Sequence, residues 1–297
     1  DTIALVAGEG ELVDSIRSIQ RSKERMLLPG DRYDFATIEE ERARIATTLK
    51  NEGFYNYDKR FILFRADSTV SESERRVALF PKLKDNLTKD AGIPYTLNSV
   101  SVFADYLLNL EDSTSVESRD STEVNDIRYY SSRNFFRPEI IVDQIRIRPG
   151  DRYNREEELR SINRLIQLDV FKLVNVEYTE VAPGKLDAKI NLSPYKKKSV
   201  QFELSAVTTS QSFAGPHLSL TFRNRNFLKG AERYELSFTG NYEWQLGGKR
   251  TSTSEQADSQ NLNLLNSFEL GVSQSLTIPR LITPFKIDYS NARYIPQ

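Results

Sequence analysis

The spacing of apolar residues changes character along this chain at about Ser199. Beyond that point hydrophobic and polar residues alternate over unusually long stretches. In RYELSFTGNYEWQ the even positions are Tyr234, Leu236, Phe238, Gly240, Tyr242 and Trp244, and the odd ones are Arg233, Glu235, Ser237, Thr239, Asn241, Glu243 and Gln245. The same division runs through Val200, Phe202, Leu204 and Ala206, through Leu218, Leu220 and Phe222, and through Leu264, Phe268, Leu270 and Val272. Successive side chains of a strand point to opposite faces, so each segment predicts a strand with one apolar and one polar face. Strands of soluble sandwiches usually have about 5–6 residues, whereas a tilted strand crossing a bilayer needs about 9–11. Length therefore favours antiparallel strands of a transmembrane β-barrel, with Leu218, Leu220, Phe222, Tyr234, Leu236, Phe238, Tyr242 and Trp244 facing lipid. Tyr242 and Trp244, near the end of a strand, suit an aromatic girdle.

Before Ser199 the spacing is that of short helices and strands, and it occurs twice. The string PGDRY stands at Pro29 to Tyr33 and again at Pro149 to Tyr153, an offset of 120 residues. Proline presets φ at the second turn position and glycine supplies positive φ at the third, so Pro29-Gly30 and Pro149-Gly150 predict type II turns. A capping box from Thr37 to Glu40 and a looser one from Asn154 to Glu157 each start a helix. Ile38, Ile45 and Leu49 form the apolar stripe of the first helix, and Leu159, Ile162, Leu165 and Ile166 that of the second. Each helix is followed by two β-rich segments, Tyr57 to Asp67 and Arg75 to Asp85, then Phe171 to Val181 and Leu186 to Tyr195. Upstream lie Leu12 to Met26 and Pro138 to Arg146 as helices, and Ile3 to Val6 and Val100 to Asp105 as short strands. Each unit thus reads strand, helix, helix, strand, strand.

This order, the turn glycine between the helices, and the aromatics closing the second helix in EGFY and DVFK resemble polypeptide-transport-associated (POTRA) domains. Such domains precede the barrel, of about 16 strands, in outer-membrane assembly proteins of the BamA and TamA type. The closest flavour is that of a TamA-like (TamL) protein. The stretch LTFRNRNFLKGAERYELSFTG is similar to the first hairpin of those barrels. The resemblance implies an α+β chain: a POTRA-like domain over residues 1–90, another over 91–195, and the first strands of a barrel over 196–297. Val170 stands where the resembling family has the glycine that Gly53 provides. The second unit carries a polar insertion at about 107–134, containing EDSTSVESRDSTEVND, whose composition predicts a mobile loop. Closed barrels start at about 8 strands of about ten residues, so the residues after Tyr195 supply only an incomplete barrel. Asp1 likewise reads as a cut, and the chain as a fragment of a longer protein.

Composition narrows the function classes. Lysine and arginine number 41 against 42 acids, which gives no electrostatic case for nucleic acid as a partner. The chain has no cysteine, excluding disulfides and thiolate metal sites or nucleophiles. His217 is the single histidine, with neither a second histidine nor a cysteine to share a metal, and a structural or solvated role is expected. No G-x-S-x-G elbow, phosphate loop or H-E-x-x-H pattern occurs, so no catalytic residue, metal or cofactor is expected. Glu39, Glu40 and Glu41 fall in a first helical turn, where acids complement the helix dipole. Asp31-Arg32 and Asp151-Arg152 read as turn caps or local ion pairs. Lys196-Lys197-Lys198 reads either as a contact to lipid headgroups at a barrel rim or as a solvated linker.

What remains is an open sheet edge, whose unpaired backbone groups can accept a strand from another protein. The resemblance implies that the second strand of the unit is that edge, at Tyr57 to Asp67 and at Lys172 to Glu180. The second copy is preferred, with Lys172, Leu173, Val174, Asn175, Val176, Glu177 and Tyr178 as the binding residues. The function so implied is non-enzymatic. Domains in the periplasm receive unfolded outer-membrane proteins, or a periplasmic or envelope subunit, by β-augmentation, and a barrel in the outer membrane, in contact with its lipid, assists insertion or translocation. Alternatives are a two-partner-type secretion pore and a soluble cell-envelope module that binds protein or glycan.

Overall fold

A computed structural model describes residues 3–69, 76–106, 120–131, 135–208, 213–245 and 266–279. The chain is α+β and divides into two compact units. The first holds residues 1–133, 141–167 and 173–193, and the second holds 134–140, 168–172 and 194–297.

The first unit contains the first repeat and most of the second. In the first repeat, helices α1 (Glu11–Arg21) and α2 (Phe35–Asn51) precede the antiparallel strands β1 (Ile62–Asp67) and β2 (Ala78–Leu83). Of the expected first strand, Ile3 makes a parallel bridge to Leu79, and Ala4 N–H donates to the Leu79 carbonyl at 3.0 Å. Leu12, Ile16 and Ile19 of α1 pack with Ile45 and Leu49 of α2, Phe54, Tyr57 and Ile62 in one buried cluster. Helix α2 starts before the expected box: Asp34 is its cap, accepting from Ala36 N–H at 3.1 Å and from the Thr37 hydroxyl at 3.1 Å. That hydrogen bonding holds the Asp34 carboxyl below the usual carboxylate range. Helix α1 stops at Arg21, short of Met26, and Lys59–Phe61 is a single 3₁₀ turn.

In the second repeat β3 (Thr96–Phe103) leads, followed by β4 (Asp120–Val124), β5 (Ile127–Ser131), α3 (Pro138–Val142), α4 (Arg155–Gln167), β6 (Phe171–Ala182) and β7 (Lys185–Pro194). The sheet order is β4-β5-β3-β7-β6, with β3 parallel to both neighbours. The sheet therefore has five strands where three were expected. The end of the polar insertion supplies the extra two: Asn125 and Asp126, at φ 50° and 62°, form a tight turn that pairs Val124 with Ile127. Ile127 and Tyr129 then enter the core at 0% and 2% exposure. The rest of the insertion, 107–119 and 132–134, lies outside the described residues.

Two further expectations are corrected. Helix α4 buries Glu158, Ser161, Arg164 and Leu165, and leaves Leu159 and Ile166 exposed. The helix is rolled because its polar groups find partners inside: the Ser161 hydroxyl accepts Arg146 N–H at 2.8 Å and donates to the Glu157 carbonyl at 2.7 Å. At the end of α4 the left-handed position belongs to Asp169, at φ 54°, so Val170 aligns with Phe54 and not with Gly53, whose φ is 104°.

The two PGDRY turns do require their glycines. Gly30 and Gly150 sit at φ 96° and 88°, so alanine at either should cost on the order of 1 kcal/mol. The arginines differ. Arg152 pairs with Glu11 at 2.7 Å, lies over the Phe54 ring at 5.8 Å and covers Gly53, so its ion pair is long-range and not local. Thermal denaturation should rank the alanine losses as Gly30 and Gly150 first, then Arg152, then Arg32. Equal losses at the two arginines would count against the Arg152 contacts.

In the second unit β8 (Lys198–Thr208), β9 (Phe213–Asn224), β10 (Arg233–Gln245) and β11 (Asn266–Thr277) form an antiparallel meander in the order β11-β10-β9-β8. Residues 246–265 and 280–297, including Leu264, lie outside the described residues. Among the described residues no helix is long and apolar enough to cross a membrane.

Candidate functional site

Two surfaces carry the sequence-predicted residues. The first is the meander, whose pairing register stacks like faces across neighbouring strands. Phe202 pairs with Leu220, Leu220 with Phe238 and Phe238 with Val272, and one step along, Leu204, Leu218, Gly240 and Leu270 make a parallel row. All eight predicted lipid-facing residues lie on this side, since Phe222, Tyr234, Leu236, Tyr242 and Trp244 share the parity of Phe238 or its register partners. The face is bare: Val200, Phe202 and Leu204 are 66–67% exposed, and Phe268, Leu270 and Val272 are 70–81% exposed. Burying such surface from water is worth about 25 cal/mol per Å², so an apolar face of this size calls for a cover.

The opposite face is polar and internally bonded. Arg223 donates to the Glu235 carboxylate at 2.8 Å, Thr221 and Ser237 share a hydrogen bond at 3.0 Å, and Asn241 donates to Glu243 at 2.8 Å. His217 lies here in register with Ser205 and Asn241. Among the described residues no group of three or more His, Asp or Glu is placed to hold a metal ion.

The second surface is the β6 edge. Strand β6 stands at the end of its sheet, so Leu173, Val174, Asn175, Val176 and Glu177 have β7 on one side and no strand on the other among the described residues. Asn175 and Glu177 are exposed and hydrogen-bonded to each other at 2.9 Å, while Lys172 is exposed nearer the start of the strand. The Tyr178 ring is committed elsewhere. It meets Tyr55 and Tyr153 at centroid distances of 5.3 Å each, and Tyr55 also meets Tyr153 at 5.0 Å and Tyr95 at 6.0 Å. The buried Glu158 carboxylate accepts from the Tyr153 hydroxyl at 3.0 Å and from Arg155 at 2.8 Å. Burial pushes the Tyr153 and Tyr178 phenols up, and the negative Glu158 adds to the effect.

This tyrosine cluster joins the two repeats. Sequence reasoning missed it, although PYTLNSV at Pro94 to Val100 returns as PYKKKSV at Pro194 to Val200. In each case the tyrosine N–H donates to a carbonyl just beyond a helix: Tyr95 to Gly53, past the end of α2, at 2.9 Å, and Tyr195 to Val170, past the end of α4, at 2.8 Å. The second PGDRY turn completes the first of these joints, through Tyr153 N–H to the Tyr95 carbonyl at 2.8 Å and Leu97 N–H to the Asp151 carbonyl at 2.8 Å.

Glu39, Glu40 and Glu41 lie beyond the first turn of α2, which starts at Phe35 and holds no acid, so they do not complement the helix dipole as expected, and Glu41 has a structural task instead. Glu41, 3% exposed, holds Arg44 at 2.6 Å and accepts Met26 N–H at 3.0 Å, which ties the connection between α1 and α2 to the helix.

No family model matches the chain, and no curated protein does. Among solved structures the chain is similar to BamA from Haemophilus ducreyi lacking POTRA domains 1-3, at 9% identity and a TM-score of 0.43, over 93% of this chain and 58% of that one. It is similar to CdiB from Acinetobacter baumannii at 9% identity and a TM-score of 0.37, over 82% and 39%. Haemophilus influenzae BamA POTRA3-5 is similar at 12% identity and a TM-score of 0.23, over 65% and 95%. The chain thus spans 58% and 39% of the first two structures.

Proposed function

We propose that this chain is part of an outer-membrane assembly or translocation protein of the BamA and TamA type, with residues 1–90 and 91–195 as periplasmic POTRA domains and residues 196–297 as strands of a transmembrane barrel. The carrying observation is the meander. Four strands of 11–13 residues put most of their apolar side chains on one exposed face and a hydrogen-bonded polar network on the other, as a lipid-facing wall with a wet interior requires. The order of elements in each repeat supports the POTRA assignment. The activity is non-enzymatic: the β6 edge adds a strand of an unfolded outer-membrane protein by backbone pairing, which reads main chain and so accepts many sequences.

A photo-crosslinking residue at Asn175 tests this in the full chain, with a urea-unfolded eight-stranded outer-membrane barrel protein as the probe. Asn175 should crosslink to the probe several times more strongly than Thr122 of β4, the opposite edge of the same sheet. Equal yields at the two edges, or none at Asn175, would overturn the β6 assignment.

A further inference from the structure

The turn between β9 and β10, Arg225 to Glu232, is held more firmly than a connection needs to be. Lys229 and Ala231 adopt φ of 65° and 62°, a left-handed conformation that strains residues with a side chain. Buried polar groups impose it. Glu232, 2% exposed, accepts Leu228 N–H at 3.1 Å and Gly230 N–H at 2.8 Å. Asn226, 3% exposed, accepts Ala231 N–H at 3.1 Å and donates to the Phe135 carbonyl at 2.6 Å. Arg137 closes the outside, its N–H on the Lys229 carbonyl at 2.9 Å and its guanidinium on the Leu228 carbonyl at 3.2 Å.

What this scaffold presents is an apolar pair and a lysine. Phe227 and Leu228 are 46% and 54% exposed, and Lys229 is exposed beside them. The Phe227 ring stacks on Tyr234 at 5.3 Å, so the apolar face of the meander runs past the strand end onto the turn. At the same end of the sheet Lys198 pairs in register with Asn224, and Arg225 N–H donates to the Lys197 carbonyl at 2.9 Å. Arg225 itself lies over the Tyr195 ring at 5.0 Å. The nearby acids do not cancel this charge: Asp169 is taken by Arg233 at 2.5 Å, Glu235 by Arg223 at 2.8 Å, and Glu232 by the turn, which leaves Glu139 exposed next to Arg137. Lys196, Lys197, Lys198 and Lys229 have no carboxylate partner among the described residues.

We propose that this end of the meander is an anchoring site for an anionic phospholipid leaflet. Phe227 and Leu228 enter below the headgroups, and Lys196, Lys197, Lys198 and Lys229 meet the phosphates. The site rests on the reading of the apolar face as lipid-facing, and adds to it the charge of the lipid and the residues that select it. A lysine close to an anionic surface gains roughly fivefold in binding, so four together act strongly.

The test floats the full chain, diluted from detergent, with vesicles of phosphatidylcholine alone or mixed with phosphatidylglycerol. Partitioning should be at least about tenfold greater with the anionic vesicles at low salt, and the preference should vanish at high salt. Lys196→Gln, Lys197→Gln, Lys198→Gln and Lys229→Gln combined should remove the preference while leaving flotation with neutral vesicles unchanged. Phe227→Ser with Leu228→Ser should weaken flotation with both. Inorganic phosphate at matched ionic strength should compete no better than chloride; if it abolishes the preference where chloride does not, the lysines hold free phosphate and the lipid assignment falls. Equal flotation with both vesicles, unaltered by the lysine changes, overturns this site alone. No flotation with either overturns the lipid-facing reading and this site together.

Discussion

Replacing Tyr153 by alanine is expected to destabilise the first compact unit by about 3–5 kcal/mol, the range for truncating a buried aromatic. Tyr153 is 1% exposed, its ring meets Tyr55 and Tyr178, and its hydroxyl supplies one of the hydrogen bonds to the buried Glu158 carboxylate. Urea denaturation followed by far-ultraviolet circular dichroism measures the loss. Tyr55→Ala separates the joint from the folds it connects, because Tyr55 is half-buried and lies against the second repeat's tyrosines. With no native cysteine in the chain, spin labels can be placed at Ser18 and Thr179 without interference. Tyr55→Ala should keep the helix and strand signal and broaden the distance distribution between the labels. An unaltered, narrow distribution would show that the tyrosines do not set the angle between the repeats.

Phe238→Arg should abolish stable association of the chain with phosphatidylcholine vesicles. An arginine on the lipid face near mid-membrane costs about 2–4 kcal/mol, and Phe238 sits mid-row between Leu220 and Val272. The control is Gln201→Arg, an equally charged change on the polar face of β8, which pairs with Thr221. It should float like the parent chain. Matching behaviour of the two variants, or a parent chain that stays in water without detergent, would instead favour a soluble sheet.

Much of this architecture was legible because the strongest signals are local. Period-two alternation grouped Phe202, Leu204, Leu218, Leu220, Phe222, Leu236, Phe238, Leu270 and Val272 on one face, and proline-glycine with positive φ located both interhelical turns. The failures concern contacts and turns that apolar periodicity does not register. Apolar spacing put Leu159 and Ile166 of α4 inward, but the helix instead buries Glu158 and Ser161, whose partners on Tyr153 and Arg146 no periodicity reveals. Arg152 looked local until Glu11, 141 residues away, proved to hold it. The β4–β5 hairpin was hidden by composition: serine, threonine and acids predicted a loop, and Asn125-Asp126 was a turn signal inside it. The β6 edge was legible as a strand, but the commitment of Tyr178 to the joint was not.

The proline-tyrosine joint between the repeats has a consequence for the sequence change it can absorb. Tyr95 N–H meets the Gly53 carbonyl and Tyr153 N–H meets the Tyr95 carbonyl, so main chain meets main chain. Side-chain substitution leaves these donors and acceptors on the chain, whereas an insertion or deletion beside Gly53, Tyr95 or Tyr153 shifts them out of register.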